Sequence, residues 1–498
     1  MAPSPLPCHT LLLAGSKNQA RPSRNGDKAM RNDQFQQVVF RPASLRLSVF
    51  ALAFCVAGPI GLSAAGCGGD AGEAGADAAD SGGDTSAKGS LKPQLGGPPT
   101  AAGATGTVAM LVQDAKGKAV AGATVGWQAL VGGGKVSSLT SVSDSAGLAK
   151  VAWTLGPAPV RQRLFAKVSE GPLQGVAANL DVLAALPQPY TPESWGDVET
   201  VLDAAKIDGS TEDLAFGPDG MLHLGLPGGL AIVDKTGKTT LRKLSGDAIV
   251  LALGLAFDQQ GTLWVADSKG HALRKVSPAG VVSTALTKAG NADLVMPNDV
   301  AIDSQGLVWL TDSCGGTLLR FDPKQGLVDR SYSFDPALQG GPNGLALGKD
   351  GRVWMTTENI ALICGKSVPL QAPVAALFVV NPASPTAAPE LVKGAMGLFG
   401  DGLTFDEQGN LYAIFDREKD FALTESSVWL FTPEAQAGQA EPVRFLSAAD
   451  RIYANCVFAP AVAQGFGPSQ LYLALLAVPP FTTARGLARF DTGMTGAP

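Results

Sequence analysis

The sequence predicts an all-β protein, a β-sandwich followed by a six-bladed β-propeller, and three observations carry that expectation. Short apolar or alternating runs sit between turn signals along the chain from residue 103 to the C-terminus. The 61 glycines and 34 prolines follow no fixed period, which suits many turns and not a collagen-like repeat. A nine-residue phrase also recurs in one register. It reads EDLAFGPDG from Glu212, LGLAFDQQG from Leu253, NDVAIDSQG from Asn298, NGLALGKDG from Asn343 and DGLTFDEQG from Asp401, with a degenerate copy, ANCVFAP, from Ala454. These starts are 41, 45, 45, 58 and 53 residues apart. A period near 45 residues, built from short β runs and turn glycines, is the mark of propeller blades.

Residues 1–67 read as a leader, with Met30 as an alternative start. Arg41 and Arg46 precede LSVFALAFCVAGPIGLSAAG, an apolar run broken by Pro59 and ending at Cys67. The stretch LSAAGC looks like a bacterial lipoprotein signal, in which the cysteine is lipidated and becomes the mature N-terminus. It departs from the usual pattern in having Ala64 three residues before the cysteine, where leucine is usual. A signal cleaved elsewhere and an uncleaved anchor remain as alternatives. Residues 68–98, rich in Gly, Ala, Asp and Ser, lack the apolar content for a core and read as a flexible acidic tether. An exported protein anchored to a membrane through Cys67, periplasmic or at the cell surface, is the expected localisation.

Residues 99–186 alternate in runs such as TVAMLVQD, TVGWQAL and LAKVAWTL, separated by AKGK, GGGK and SDSAG, the spacing of a β-sandwich. The stretch VQDAKGKAVAGATVGWQ…SDSAGLAKVAWTLG resembles bacterial immunoglobulin-like domains of the invasin type. That resemblance implies a spacer or an adhesion unit.

The propeller is expected over 196–498. After each phrase comes a second strand (MLHLGL, TLWVAD, LVWLTD, RVWMTT, NLYAIF, QLYLAL) and then a third (from GLAIVDK to GLARFDT). Blade six runs out of chain before a fourth strand. VETVLDA, from Val198, precedes the first phrase without a partner of its own, so it is expected to supply that strand and close the ring.

Net charge −6 offers no basic field for nucleic acid. Three histidines and no CxxC pair argue against zinc. In a propeller the inner strands line a central channel, so equivalent phrase positions point at one axis. The first position reads Glu212, Leu253, Asn298, Asn343, Asp401, Ala454. Two carboxylates and two carboxamides form an all-oxygen set of charge −2 that suits a hard divalent cation, Ca²⁺ above all. Asn and Asp before Gly are also ordinary turn residues, but glutamate is a poor one. Asn455, one residue past the slot in blade six, is expected to reach the same pocket. Asp267, Asp312, Glu358 and Asp416 end second strands and are expected to ring the mouth and contact substrate.

The segments EDLAF, PNDVAID, GPNGLAL and GDGLTFDEQGNLY resemble the SMP-30/gluconolactonase/luciferin-regenerating-enzyme family of six-bladed propellers over roughly residues 196–495. The resemblance implies that Glu212, Asn298, Asn343 and Asp401 ligate a divalent metal. It also implies that Asp401 serves as general base or nucleophile in hydrolysis of a lactone or related ester. Two departures bear on substrate. Sugar-lactonase members carry an arginine where this chain has Met296, and paraoxonases carry a histidine where it has Leu253. A more apolar substrate than a sugar lactone is therefore expected. The alternative is a non-catalytic ligand-binding or adhesion propeller. A monomer is expected.

His223 takes the place filled by Trp264, Trp309, Trp354 and Tyr412 in other blades and is read as packing, and His271 as exposed. Cys314 and Cys364 follow second strands of neighbouring blades. A disulfide and two separate thiols are both open for them, with Cys456 an unpaired core thiol.

Overall fold

A computed structural model describes residues 88–497 except 95–96, 336–337, 360–362, 366–374, 385–386, 420–421, 462, 464 and 478–484. The leader, Cys67 and most of the tether lie outside the described residues. Among the described residues, no helix is long and apolar enough to cross a membrane.

The N-terminal module consists of two four-stranded sheets. One orders Gly89–Gln94, Thr105–Asp114, Leu148–Thr154 and Lys135–Val136, and the other Thr140–Val142, Thr124–Val131, Arg161–Glu170 and Ala177–Leu183. Alternation drives their facing: Val108, Met110 and Val112 point inward from one sheet, Val125 and Trp127 from the other, and all are buried in one core with Trp153. The first strand lies inside the stretch expected to be tether. Leu91 explains the difference, because its side chain is buried in that core while its strand pairs with Thr105–Asp114.

The ring has six blades of four antiparallel strands, with a short fifth strand, Ser245–Gly246, added in parallel to the outer edge of blade two. Blade one comprises Leu214–Phe216, Leu222–Leu226, Gly229–Val233 and Thr239–Leu241. Blades two to five begin with inner strands Ala252–Phe257, Pro297–Ile302, Gly341–Leu347 and Phe399–Phe405. Blade six comprises Ile452–Phe458, Gln470–Leu476, Gly486–Asp491 and the strand Glu193–Trp195, which pairs with Gly486–Asp491. Ring closure by a segment preceding blade one is as expected, but the segment is different. VETVLDA forms the helix Val198–Ala205 instead. Its Val198 and Leu202, four residues apart on one helical face, are buried, whereas Trp195 anchors the strand edge-on to Tyr472 at 5.0 Å.

A recurring bond ties the phrase to the second strand in blades one, two, three and five. Trp264 Nε1 donates to Asp258 (3.0 Å), Trp309 Nε1 to Asp303 (3.2 Å) and Tyr412 Oη to Asp406 (3.2 Å). His223 Nε2 lies 3.0 Å from Asp219 in the same role, and the side chain is buried. The histidine is packing, as expected.

The inner strands share an irregularity that places the site. In blades three to six the register slips over the first two phrase residues, between Pro297/Val300, Pro342/Leu345, Gly400/Leu403 and Tyr453/Cys456, and in blade two over the first alone, between Ala252/Gly254. Such a bulge re-aims side chains out of the regular alternation. The second phrase residues, Asp213, Gly254, Asp299, Gly344, Gly402 and Asn455, form a belt. Asp299 Oδ1 accepts from Val300 N and Oδ2 from Leu345 N of the next blade, both at 2.7 Å. Asp213 bridges likewise from Leu214 N to Leu255 N. Glycine between these acids permits close approach of neighbouring blades: a Cβ on Gly254 would lie 2.5 Å from Asn298 O and 2.6 Å from Asp299 Cα. Gly254→Ala is therefore expected to cost about 1–3 kcal/mol through overpacking, read as a lower urea midpoint of unfolding. An unchanged midpoint would show that the belt tolerates the methyl group.

Candidate functional site

The first phrase residues gather at one mouth of the channel, on the floor of a cavity of about 610 Å³. Glu212, Asn343 and Asp401 line it directly, together with Glu358 and Asp416. Asn298 is buried beside them and joins through Glu358: Asn298 Nδ2 donates to Glu358 Oε1 at 3.5 Å and Asn343 Nδ2 to Glu358 Oε2 at 3.2 Å. One carboxylate thus holds both amide NH₂ groups and leaves both carboxamide oxygens to face elsewhere. Asn343 Oδ1 is buried and has no hydrogen-bond partner.

Two threonines, unnoticed in the sequence, set the backbone of this floor. Thr311 Oγ1 donates to Asn343 O at 2.7 Å, and Thr356 Oγ1 donates to Asp401 O at 2.5 Å. Each lies on the second strand of one blade and holds the phrase of the next. The alternation of LVWLTD and RVWMTT carries the signal, since a polar residue interrupts a buried strand at the same place in both.

Burial and mutual repulsion set the electrostatics of these acids. Burial pushes Glu212 up to about 7, Asp416 up to about 7 and Glu358 up to about 8, the last raised further by Glu212. Asp401 is pushed well above the usual carboxylate range, first by burial, then by Glu212, Asp416 and Glu358. Among the described residues no group of three or more His, Cys, Asp or Glu side chains is gathered as metal ligands. The expected quartet contains only two carboxylates and completes its oxygens with carboxamides. An orphaned buried amide oxygen, two amides turned by one carboxylate, and acids raised by burial and by one another are what an oxygen-coordinated divalent cation fits.

The four acids expected to ring the mouth divide into two pairs. Glu358 and Asp416 line the cavity, but Asp312 and Asp267 do not. Asp312 accepts from Val295 N, Met296 N and Gly315 N at 2.9, 2.6 and 3.1 Å. Asp267 accepts from Val250 N, Leu251 N and Gly270 N and pairs with Arg274 at 3.0 Å. Both open an Asp-Ser-x-Gly turn, and the turn consumes the carboxylate. Glu358 is followed by a longer connection, and in blade five the strand runs on past Asp416, to Lys419. Asn455 is a second correction. As the second residue of its bulge it belongs to the belt, its Oδ1 accepts from Cys456 N at 2.7 Å, and it lines a different cavity with Asp213 and Asp299.

His271 lines the mouth, a role the sequence reading missed, although its expected exposure is observed. Its backbone is left-handed (φ 49°), and Nδ1 lies 2.7 Å from Val295 O. Cys314 and Cys364 form a disulfide with Cα atoms 5.7 Å apart, linking the connections that follow the second strands of blades three and four at the mouth. Cys456 is free and buried, as expected.

The site thus defines a six-bladed propeller with an oxygen-rich channel mouth. The ring is similar in fold to several solved propellers. One is a proposed gluconolactonase (17% identity, 58% of this chain and 90% of that one, TM-score 0.41). Another is a luciferin-regenerating enzyme (12%, 58% and 94%, 0.41). A third is regucalcin of Agrobacterium tumefaciens, a calcium-binding protein (14%, 62% and 96%, 0.43). No protein-family description and no curated protein matches the chain.

Proposed function

We propose that the chain is an exported, metal-dependent hydrolase of the gluconolactonase type, acting on a lactone or related ester at a Ca²⁺ site in the propeller mouth. The observation that carries this reading is the clamp of Asn298 and Asn343 on Glu358, which turns both amide NH₂ groups to one carboxyl and leaves Asn343 Oδ1 unpartnered in a cavity that Glu212 and Asp401 also line. Glu212, Asn298, Asn343 and Asp401 would hold the cation. When bound it supplies Lewis-acid polarisation of the ester carbonyl and charge to offset the developing oxyanion. Asp401 faces the cavity and takes a proton from water as the water oxygen bonds to the acyl carbon. The ring C–O bond then breaks, and that proton passes to the departing alkoxide, giving a hydroxy acid. Export and a lipid on Cys67 rest on the leader sequence, and the sandwich is read as an immunoglobulin-like spacer on its tether.

The test is calorimetric titration of Ca²⁺ into the protein and its Glu212→Gln variant. One site weakened at least tenfold by the substitution supports the reading. No binding of Ca²⁺ or any other divalent ion leaves a ligand-binding propeller without this chemistry.

A pH dependence follows with a definite sign. Acids whose folded-state pKa is raised stabilise the fold below their ordinary range, and that contribution is lost as pH rises through the folded value. With Glu212, Asp416 and Glu358 raised to about 7, 7 and 8, the Tm of the metal-free protein should fall between about pH 5 and about pH 8. Added Ca²⁺ should restore more Tm at the upper end than at the lower. Parallel Tm–pH curves with Ca²⁺ and with chelator would rule out a cation on these groups.

A further inference from the structure

The polar groups of the mouth are unevenly shared among the blades, and the distribution bears on the substrate. Glu212, Asn343, Glu358, Asp401 and Asp416 line the cavity from inner-strand starts and second-strand ends, and a short polar edge at Ser268, Lys269 and His271 belongs to blade two. Among the described residues, the remaining lining is hydrocarbon and sulfur. Leu253 comes from blade two, Met296 from the segment entering blade three, Phe399 and Leu423 from blade five, and Ile452 and Leu476 from blade six. The Met296 and Cys314 sulfurs touch at 3.3 Å, so the disulfide continues this wall. At about 610 Å³ the cavity has room for a compact organic molecule.

A polyhydroxylated substrate needs a hydrogen-bond partner for each hydroxyl it buries. An unpartnered hydroxyl costs about 1–3 kcal/mol. The acids of the cavity serve the reacting carbonyl, and among the described residues five of the six blades line the rest of the cavity without a donor side chain. Hydrocarbon against the same wall gains about 0.8 kcal/mol per buried methylene. Resting on the hydrolase reading, we infer that the substrate is a lactone or ester with a hydrocarbon body, an alkyl chain or aromatic ring, and not a sugar lactone. The carbonyl meets the floor and the hydrocarbon lies along Met296, Phe399, Leu423 and Leu476.

The test compares two δ-lactones that share the reacting ring, one alkyl-substituted (δ-dodecalactone) and one hydroxylated (glucono-δ-lactone). Turnover and binding are measured separately on the Ca²⁺-loaded full protein. The alkyl lactone is expected to exceed the sugar lactone in kcat/KM by at least about 100-fold, with shorter alkyl chains losing about fourfold per methylene. Phe399→Ala should lower kcat/KM for the alkyl lactone about tenfold or more while leaving Ca²⁺ affinity unchanged. If neither lactone is hydrolysed but calorimetry shows the alkyl lactone binding and the sugar lactone not, the hydrolase reading fails and the preference for a ligand with a hydrocarbon body stands. Equal or better use of the sugar lactone, or no binding of the alkyl lactone, overturns the inference.

Discussion

Asp401→Asn should lower ester hydrolysis by about three orders of magnitude, the scale of a lost general base. The variant keeps an oxygen toward the cavity and keeps the shape of the side chain, and its backbone carbonyl still accepts from Thr356. What it loses is a proton acceptor and one of the two negative charges of the quartet. Ca²⁺ affinity should therefore fall as well, and turnover must be compared at saturating Ca²⁺. The metal-free variant should be at least as stable as the parent, because Asp401 is buried among Glu212, Asp416 and Glu358, which repel it. Full activity at saturating Ca²⁺ would remove Asp401 from the base role. Lost activity together with a collapsed Tm would mean that the residue holds the fold and would leave its chemistry without support.

Glu358→Leu is expected to weaken Ca²⁺ binding by about 10–100-fold, the usual effect of removing a group that orients ligands. Glu358 is buried, accepts from both Asn298 and Asn343, and so decides which way two carboxamides turn. Without it each amide is free to rotate and present NH₂ to the cation. A merely structural role would lower the Tm of the metal-free protein. Removing a carboxyl whose pKa burial raises to about 8 offsets the loss of an acceptor for two buried amide groups, about 1–3 kcal/mol each. The orienting role therefore predicts a metal-free Tm changed little, with the main loss in Ca²⁺ affinity. Glu358→Gln should fall between, because its amide keeps one acceptor where the carboxylate has two. Unaltered affinity in both variants would show that the asparagines are oriented by their own backbone.

Much of this was legible in the sequence, for physical reasons that differ by element. Periodic apolar runs and turn glycines imposed the blades, since a strand that buries one face must alternate and a glycine must supply the positive φ after each phrase, as at Gly220, Gly261, Gly306, Gly351 and Gly409. The convergence of Glu212, Asn298, Asn343 and Asp401 was legible because one register repeated around one axis brings equal positions together. Three things were not. VETVLDA reads equally as strand or helix, and only the burial of Val198 and Leu202 on one face against blades one and six chose the helix. Asn455 stands one residue from the mouth in sequence but belongs to the belt, because a bulge turns its two residues apart. Asp312 and Glu358 both end second strands but stand one register position apart, Asp312 opposite Pro297 and Glu358 opposite Gly341, so Thr357 takes the place of Asp312 in blade four. A tight turn saturates Asp312 with backbone N–H groups, while Glu358 is left to two asparagines from different blades.

The sequence by itself determined the all-β class, the blade count and which oxygen-bearing residues open the phrases, because those follow from local period and residue chemistry. The tertiary structure alone decided which acid orients and which acid staples, what walls the cavity, and which segment closes the ring. Each of those depends on contacts between blades far apart in the chain, and no local pattern encodes the partner that a buried polar group will meet.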